Sequence, residues 1–453
     1  MKEKLNVGFI TTVSGRWPRE VPNKRLAAYG AWLNETLGDD YNLIAFDTLI
    51  DSPERIDEAV STLKAKCADL VIMVYGAFTG DDVCTGIADS LRVPMILWAP
   101  REPEEQVHGS RLLSNAMVAV TMNAASMHRL GHPTVSIYGG LESEEAKAKV
   151  LATVRAHGVV KKLKGATLGL FGYRPTAFYN CAFDEGLIRR TFGIKMEETE
   201  LKTVYDRMQQ LDAAAVLADR SYVNETFTLQ SEDLLPDEYR DNHSRLYLAL
   251  GQLFDEAGYD YATIKCWPEM GNLKTTPCAV LGRLADTGKN IACEGDVDAM
   301  LAMMAQNSLT GTPGFVTDMI DLNEEENYLT FWHCGNAAPS LHHPDYNTVM
   351  GDHPLAGQGT AFYTTLKEGP VTIARFCNIH GVYKLFLLKG TARSADLYTP
   401  GSMVNVTMDT PVRSILEGML EQGVPHHYSI VWADVADEMR AIAKLLNIEV
   451  LDI

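Results

Sequence analysis

The stretch Asn290-Ile-Ala-Cys-Glu294-Gly-Asp-Val-Asp298, with Gly314-Phe-Val-Thr-Asp318 beyond the next helix-like run, marks where the chain changes architecture. Upstream of it, short apolar runs alternate with amphipathic helical patterns. Residues 6–13, 41–46, 69–74 and 94–98 read as buried strands, and 24–37, 52–66 and 82–91 as the helices between them. Residues 131–138 add a strand and 143–157 a long helix. After the basic connector Val160-Lys-Lys-Leu-Lys-Gly165 the alternation resumes, with strands at 167–171, 195–199 and 262–265 and helices at 181–192, 204–211, 243–257 and 297–306. Continuous apolar strands separated by helices predict parallel sheets covered on both faces. Downstream of Gly314 the pattern changes. Segments 328–333, 360–365, 370–378, 383–389 and 402–408 follow one another across Gly, Pro and Asp turns, which predicts an antiparallel sheet or barrel. A strand at 428–431 and a helix at 434–446 close the chain.

The fold class expected is therefore α/β: two Rossmann-like, doubly wound parallel-sheet domains (1–162 and 163–312), then a C-terminal antiparallel β-barrel-like domain (313–453). A chain of 453 residues exceeds what one hydrophobic core supports. With 46% hydrophobic and 22% charged residues, the composition is that of an ordinary globular protein. A formal net charge of −19 without long Lys/Arg runs argues against nucleic acid or an anionic membrane as partner. There is no 18-residue apolar stretch and no signal-peptide pattern at the N-terminus. The eight cysteines are scattered without a Cys-x-x-Cys pair, so free thiols in a reducing cytoplasm are expected.

Glu294 and Asp318 each follow an apolar run, and a strand–helix–strand crossover between them is expected to bring both to one edge of a parallel sheet, where α/β ligand sites lie. An unpartnered charge after Ile-Ala-Cys is costly, so Glu294 is expected to have a partner. His427 lies between Gly423-Val-Pro425 and the apolar Tyr428-Ser-Ile-Val431; His333 ends an apolar segment before Cys-Gly. His342, His343 and His353 fall in a Pro/Asp/Gly-rich loop and read as a surface or lid segment. Two carboxylates and one or two imidazoles suit Mn²⁺, Mg²⁺ or Co²⁺ better than a thiolate zinc site. Such an ion bridges the carbonyl and neighbouring hydroxyl of an open-chain sugar, and a nearby carboxylate moves a proton between C2 and C1. No Walker lysine, Gly-x-Ser-x-Gly elbow or His-Glu-x-x-His is present.

Taken together, Cys-Glu294-Gly-Asp-Val-Asp, Phe-Val-Thr-Asp318 and Pro-His-His427 resemble the L-fucose isomerase/L-arabinose isomerase family of aldose–ketose isomerases. The tail Ser429-Ile-Val-Trp-Ala-Asp-Val-Ala-Asp-Glu-Met is similar to the fucose isomerase C-terminus, and Val7-Gly-Phe-Ile-Thr-Thr-Val-Ser-Gly-Arg16-Trp-Pro to its start. His333, followed by Pro339-Ser340, is similar to the arabinose isomerase segment that supplies a further histidine ligand. The resemblance implies a metal site between the second and third domains, in a homo-oligomer built on trimers and usually hexameric. It implies that Glu294 and Asp318 are metal ligands and the proton-transferring pair, that His427 is the third ligand, and that His333 binds metal or substrate. Arg16 would reach a neighbouring subunit's sugar, with Phe78 and Asp81 on the loop that faces it. The reaction implied is interconversion of an aldose and its ketose through a cis-enediol.

The chain is shorter than fucose isomerases, and the stretch before Glu294 matches poorly, so the sugar is open: L-fucose or D-arabinose, L-arabinose, or a C6-modified hexose such as a sulfonated one. An anionic tail would call on cations from among Arg16, Arg19, Arg101, Arg174, Lys265 and Arg283. The alternatives are a non-catalytic sugar-binding protein on the same scaffold and a metal-dependent sugar epimerase.

Overall fold

A computed structural model describes residues 4–103 and 112–453. The chain forms two compact units, Met1–Val160 with Arg440–Asn447, and Lys161–Met439 with Ile448–Ile453. In the first, strands β1 (Leu5–Thr12), β2 (Tyr41–Ile50), β3 (Leu70–Tyr75), β4 (Met95–Ala99) and β5 (Thr134–Tyr138) form a parallel sheet in the order β2-β1-β3-β4-β5. Helices α1 (Glu20–Leu37), α2 (Pro53–Ala65), α3 (Asp81–Leu91), α4 (Ala116–Leu130) and α5 (Glu144–Leu163) accompany them. All six residues of β3 are buried, as a strand covered on both faces requires. Residues 160–163, read from sequence as the start of a connector, instead continue α5. Lys161 and Lys162 occupy its last turn, where cations complement the helix dipole.

The second unit opens with a four-stranded parallel sheet of order β10-β9-β6-β7, from β6 (Thr167–Phe171), β7 (Lys195–Thr199), β9 (Tyr261–Ile264) and β10 (Ile291–Ala292). Its helices are α6 (Glu185–Phe192), α7 (Leu201–Gln210), α8 (Ala213–Thr226), α9 (Asp237–Ala257), α10 (Cys278–Asp286) and α11 (Val297–Thr310). The barrel follows. Strands β11 (Phe315–Asn323), β12 (Tyr328–His333), β15 (Gly369–Ile379), β16 (Val382–Arg393), β17 (Ser402–Met408) and β18 (His427–Val431) pair in a ring, closed where β16 meets β17. Short strands β8 (Thr228–Leu229), β13 (Val349–Gly351), β14 (Ala361–Thr365) and β19 (Glu449–Val450) extend this sheet, and helices α12 (Val412–Gln422) and α13 (Ala436–Leu445) lie near the chain's end. The α/β class and the antiparallel barrel are as the sequence predicts.

The barrel core is built from alternate residues of its strands: Phe315, Leu329, Phe331, Val404, Phe386, Tyr428 and Ile430. Fully burying each large apolar side chain contributes roughly 1.5–3 kcal/mol. Helix α11 is buried from Val297 to Asn307 and packs on β9 as well as on β15 and β18, which joins the parallel sheet to the barrel.

One expectation is corrected. Glu294 follows β10 of the parallel sheet, but Asp318 lies within β11 of the barrel, paired antiparallel with β12 and β18. The two carboxylates therefore do not share a parallel-sheet edge. The crossover helix α11 leads out of one sheet and into another. Among the described residues, no helix is long and apolar enough to cross a membrane.

Candidate metal and substrate site

The carboxyl ends of β6, β9 and β10 open onto three loops, and the last of them is very short. Glu294 and Gly295 both adopt left-handed backbone conformations (φ 59° and 63°). For a non-glycine residue this costs about 1–2 kcal/mol. Asp296 then caps α11, its carboxylate accepting from the Ala299 amide at 3.0 Å. A Cβ on Gly295 would stand 2.1 Å from the Tyr173 carbonyl oxygen, so only glycine fits beside the β6 loop. This tight turn aims Glu294 at the barrel.

The barrel supplies the facing groups through register. Asp318 on β11 lies directly opposite His427 on β18, so their side chains leave the same face as a cross-strand pair. His427 Nε2 lies 3.5 Å from Asp318 Oδ1 and 3.5 Å from Glu294 Oε2. These three atoms are buried, and none has a hydrogen-bond partner. Trp267 Nε1 donates to the other Glu294 oxygen at 3.3 Å, which leaves Oε2 facing the histidine. His333 joins Glu294 and His427 in a cluster with ligand-capable atoms within 4.8 Å of one another. His426 Nε2 comes to 3.6 Å from Glu294 and 3.9 Å from Asp318.

Asp296, which no sequence motif singles out, lies directly behind His427. His427 Nδ1 donates to Asp296 Oδ2 at 2.9 Å, and Arg375, fully buried on β15, binds both oxygens of the same carboxylate at 2.8 and 3.0 Å. Arg375 also donates to the His427 carbonyl at 2.8 Å. With its Nδ1–H donated to Asp296, His427 presents an Nε2 lone pair to Glu294 and Asp318. A capping carboxylate in an acidic protein carries no distinct sequence signal; only its spacing, two residues after Glu294, hinted at it.

The electrostatics follow from burial and neighbours. Burial alone would raise the Glu294 carboxyl, but His426, His427 and His333 bring it below its usual range. Burial likewise opposes ionisation of Asp296, and Arg375 with His427 outweighs it, so this carboxyl lies far below normal. Burial would lower His427, yet Asp296, Asp318 and Glu294 raise it. A field that favours extra positive charge on this imidazole favours a cation in its place. Three orphaned donor atoms of carboxylate and imidazole type fit one hard divalent cation.

Beyond Glu294 a cavity of about 450 Å³ is lined by residues including Trp267, Thr276, His333, His353 and Gln358, together with Cys266, Cys278, Cys293 and Cys334. His353 thus lines the cavity, whereas His342 is held by a bridge to Leu366 and a bond to the Ala337 carbonyl. The β6 loop contributes Phe178, whose ring meets both Trp267 and His426.

Arg16, Phe78 and Asp81 belong to the first unit. They follow β1 and β3, the adjacent strands at which the sheet order reverses, where α/β sheets hold ligands. The Ser14 amide bonds the Phe78 carbonyl at 2.8 Å, Trp17 packs on Phe78, and Arg16 is exposed. Asp81 accepts from Asn123 at 2.8 Å. Of the other candidate cations, Arg19, Lys265 and Arg283 are paired with Asp51, Glu269 and Asp219.

Fold and site thus define an α/β protein whose carboxylate–histidine cluster, set against a barrel, suits a divalent cation. Residues 331–453 match the family model for the L-fucose isomerase C-terminal domain. Over most of its length the chain is similar to proteins named sulfoquinovose isomerase. The one from Alkalicoccus urumqiensis is 28% identical over 408 residues, 89% of this chain and 90% of that protein. That from Clostridium sp. (strain MSTE9) is 29% identical over 416 residues, covering 90% and 92%. That from Priestia megaterium is 24% identical over 423 residues, covering 92% of each. The chain is thus similar to fucose isomerase-like proteins, isomerases of the aldose–ketose class. A solute-binding protein from Actinobacillus succinogenes with bound D-allose aligns at a TM-score of 0.18 and 11% identity, covering 68% of this chain and 93% of that one, too slight a likeness to carry an argument.

Proposed function

We propose that this protein interconverts a sulfonated aldose, of the sulfoquinovose kind, and its ketose, with Mn²⁺ or a similar divalent ion held by Glu294, Asp318 and His427. The observation that carries the reading is the convergence of three buried, unpartnered donor atoms from a strained turn and two paired barrel strands. A cation held there supplies Lewis-acid polarisation of the sugar's carbonyl and neighbouring hydroxyl. The protein's own part is proton transfer. One carboxylate of the pair takes the C2 proton as O1 gains one, which gives a cis-enediol; returning that proton to C1 as O2 loses its own gives the ketose. Asp296 and Arg375 hold His427 in the required tautomer and keep its ring from turning.

The sulfonate reading draws on the relatives' names and on Arg174. This arginine has no carboxylate partner among the described residues, and its Nε is buried without a hydrogen bond. Its guanidinium lies 5.3 and 5.4 Å from the rings of Tyr173 and Tyr179, and its Cα would stand 3.1 Å from a Cβ on Gly295. We assign Arg16, Phe78 and Asp81 to the pocket of a neighbouring copy in a trimer-based, hexameric assembly; their position at the sheet's switch point supports this.

The test is proton NMR in D₂O with Mg²⁺ and a panel of aldoses, including deoxy, pentose and C6-sulfonated sugars. Ketose formation with the sulfonated hexose, stopped by EDTA, is the expected result. Epimer or C2 exchange without ketose would move the reading to an epimerase, and binding without turnover to a sugar-binding protein.

A further inference from the structure

His333 and His353 line the cavity next to Glu294, and each has its Nδ1 occupied by a backbone amide. The Cys334 N–H donates to His333 Nδ1 at 2.9 Å. The Leu355 and Ala356 N–H groups donate to His353 Nδ1 at 3.2 and 3.1 Å. A backbone N–H can only donate, so both Nδ1 atoms are acceptors and the ring proton of a neutral imidazole sits on Nε2. His427 is the reverse case: its Nδ1–H donates to Asp296, and its Nε2 carries the lone pair.

An imidazole with a proton on Nε2 cannot give that nitrogen to a metal. To do so it must shift the proton to Nδ1, which would set two N–H groups against each other. We propose that His333 and His353 are hydrogen-bond donors to the oxygens of the sugar, and that the metal takes its one imidazole from His427. His333, 2% exposed and 5.6 Å ring to ring from His427, serves the oxygens at the reacting end. His353, on the loop beyond, serves oxygens further along the chain of the sugar. Neutral N–H donors of this kind suit hydroxyls and a sulfonate alike, since neither group needs to exchange a proton with them. The inference rests on the sugar-isomerase reading and names what recognises the substrate there.

The test separates metal from sugar. Mn²⁺ binding to metal-stripped protein is measured by titration calorimetry for the wild type, His333→Ala, His353→Ala and His427→Ala, and KM and kcat are measured on the sulfonated aldose with saturating Mn²⁺. Mn²⁺ affinity is expected within about threefold of wild type in the His333 and His353 variants, and lost by about 100-fold in His427→Ala. KM is expected to rise about tenfold for each cavity variant, and His333→Gln, which returns an N–H near the Nε2 position, to recover most of it. A His333→Ala loss of Mn²⁺ affinity as large as that of His427→Ala would overturn the donor assignment while leaving the isomerase reading intact. Unchanged KM in both cavity variants would overturn it as well. No Mn²⁺ binding by the folded wild type would overturn both readings.

Discussion

Glu294 is held in a left-handed turn that only its surroundings can stabilise, and Gly295 is the residue that makes the turn possible. Gly295→Ala is expected to cost about 2–3 kcal/mol, because its Cβ would meet the Tyr173 carbonyl at 2.1 Å. Chemical denaturation checks this, and a change below a few tenths of a kcal/mol would contradict the geometry. Arg375→Met leaves Asp296 as an unpaired charge in a fully buried place. It is expected to lower stability by about 3–5 kcal/mol and to weaken divalent-ion binding by at least about tenfold. At this scale the sequence was informative where chemistry is concentrated. Glu294, Asp318, His333 and His427 stood out because each charge or imidazole interrupted an apolar run. Asp296 and Arg375 did not, since a capping aspartate and an arginine in a strand have ordinary structural uses.

The elements explain why Asp318 and His427 meet. Their encounter is a matter of register between β11 and β18, and a slip of one strand by one residue would turn its member of the pair to the opposite face. Strand–helix alternation made the parallel sheets legible, and the succession of turns made the barrel so. Register and sheet membership were not legible, because β10 and β11 are both apolar and a crossover between them looks the same whether it returns to its own sheet or enters another. Helix α8 escaped notice for a related reason: its Ala-rich sequence buries little beyond Val216 and Val223, so no apolar stripe marks it. Closure of the barrel depends on close approach at Gly390, where a Cβ would stand 2.5 Å from the Thr407 carbonyl oxygen and 2.7 Å from Val406. Gly390→Val is expected to destabilise the protein by about 1–3 kcal/mol, read as a lowered thermal midpoint. An unaltered midpoint would show that β16 and β17 do not seal the barrel there.

For the molecule as a whole, the buried polar layer around α11 gives stability a dependence on pH. Burial, only partly offset by Arg375, raises the Asp298 carboxyl from 3.8 to about 7, where it accepts from Tyr383 at 2.8 Å. Folded Asp298 keeps a proton that the unfolded chain has already lost, so its contribution is greatest below 3.8 and declines as pH rises towards about 7. Asp298→Asn is expected to flatten that decline in urea titrations at the two ends of the window; an equal slope in both proteins would contradict it. The two units divide the candidate residues, with Arg16 in one and the carboxylate–histidine cluster in the other. If neighbouring copies share a pocket, mixed oligomers of Arg16→Ala and Glu294→Gln chains will regain turnover that neither parent has, and continued inactivity after verified mixing would confine the pocket to one chain. The most direct test of the central claim is to strip the protein of metal and follow isomerisation of the sulfonated aldose as Mn²⁺ is returned, with Asp318→Asn alongside. The account predicts no turnover in the stripped protein, recovery that saturates with one ion per chain, and none in the variant; full activity without metal, or an active Asp318→Asn protein, would contradict it.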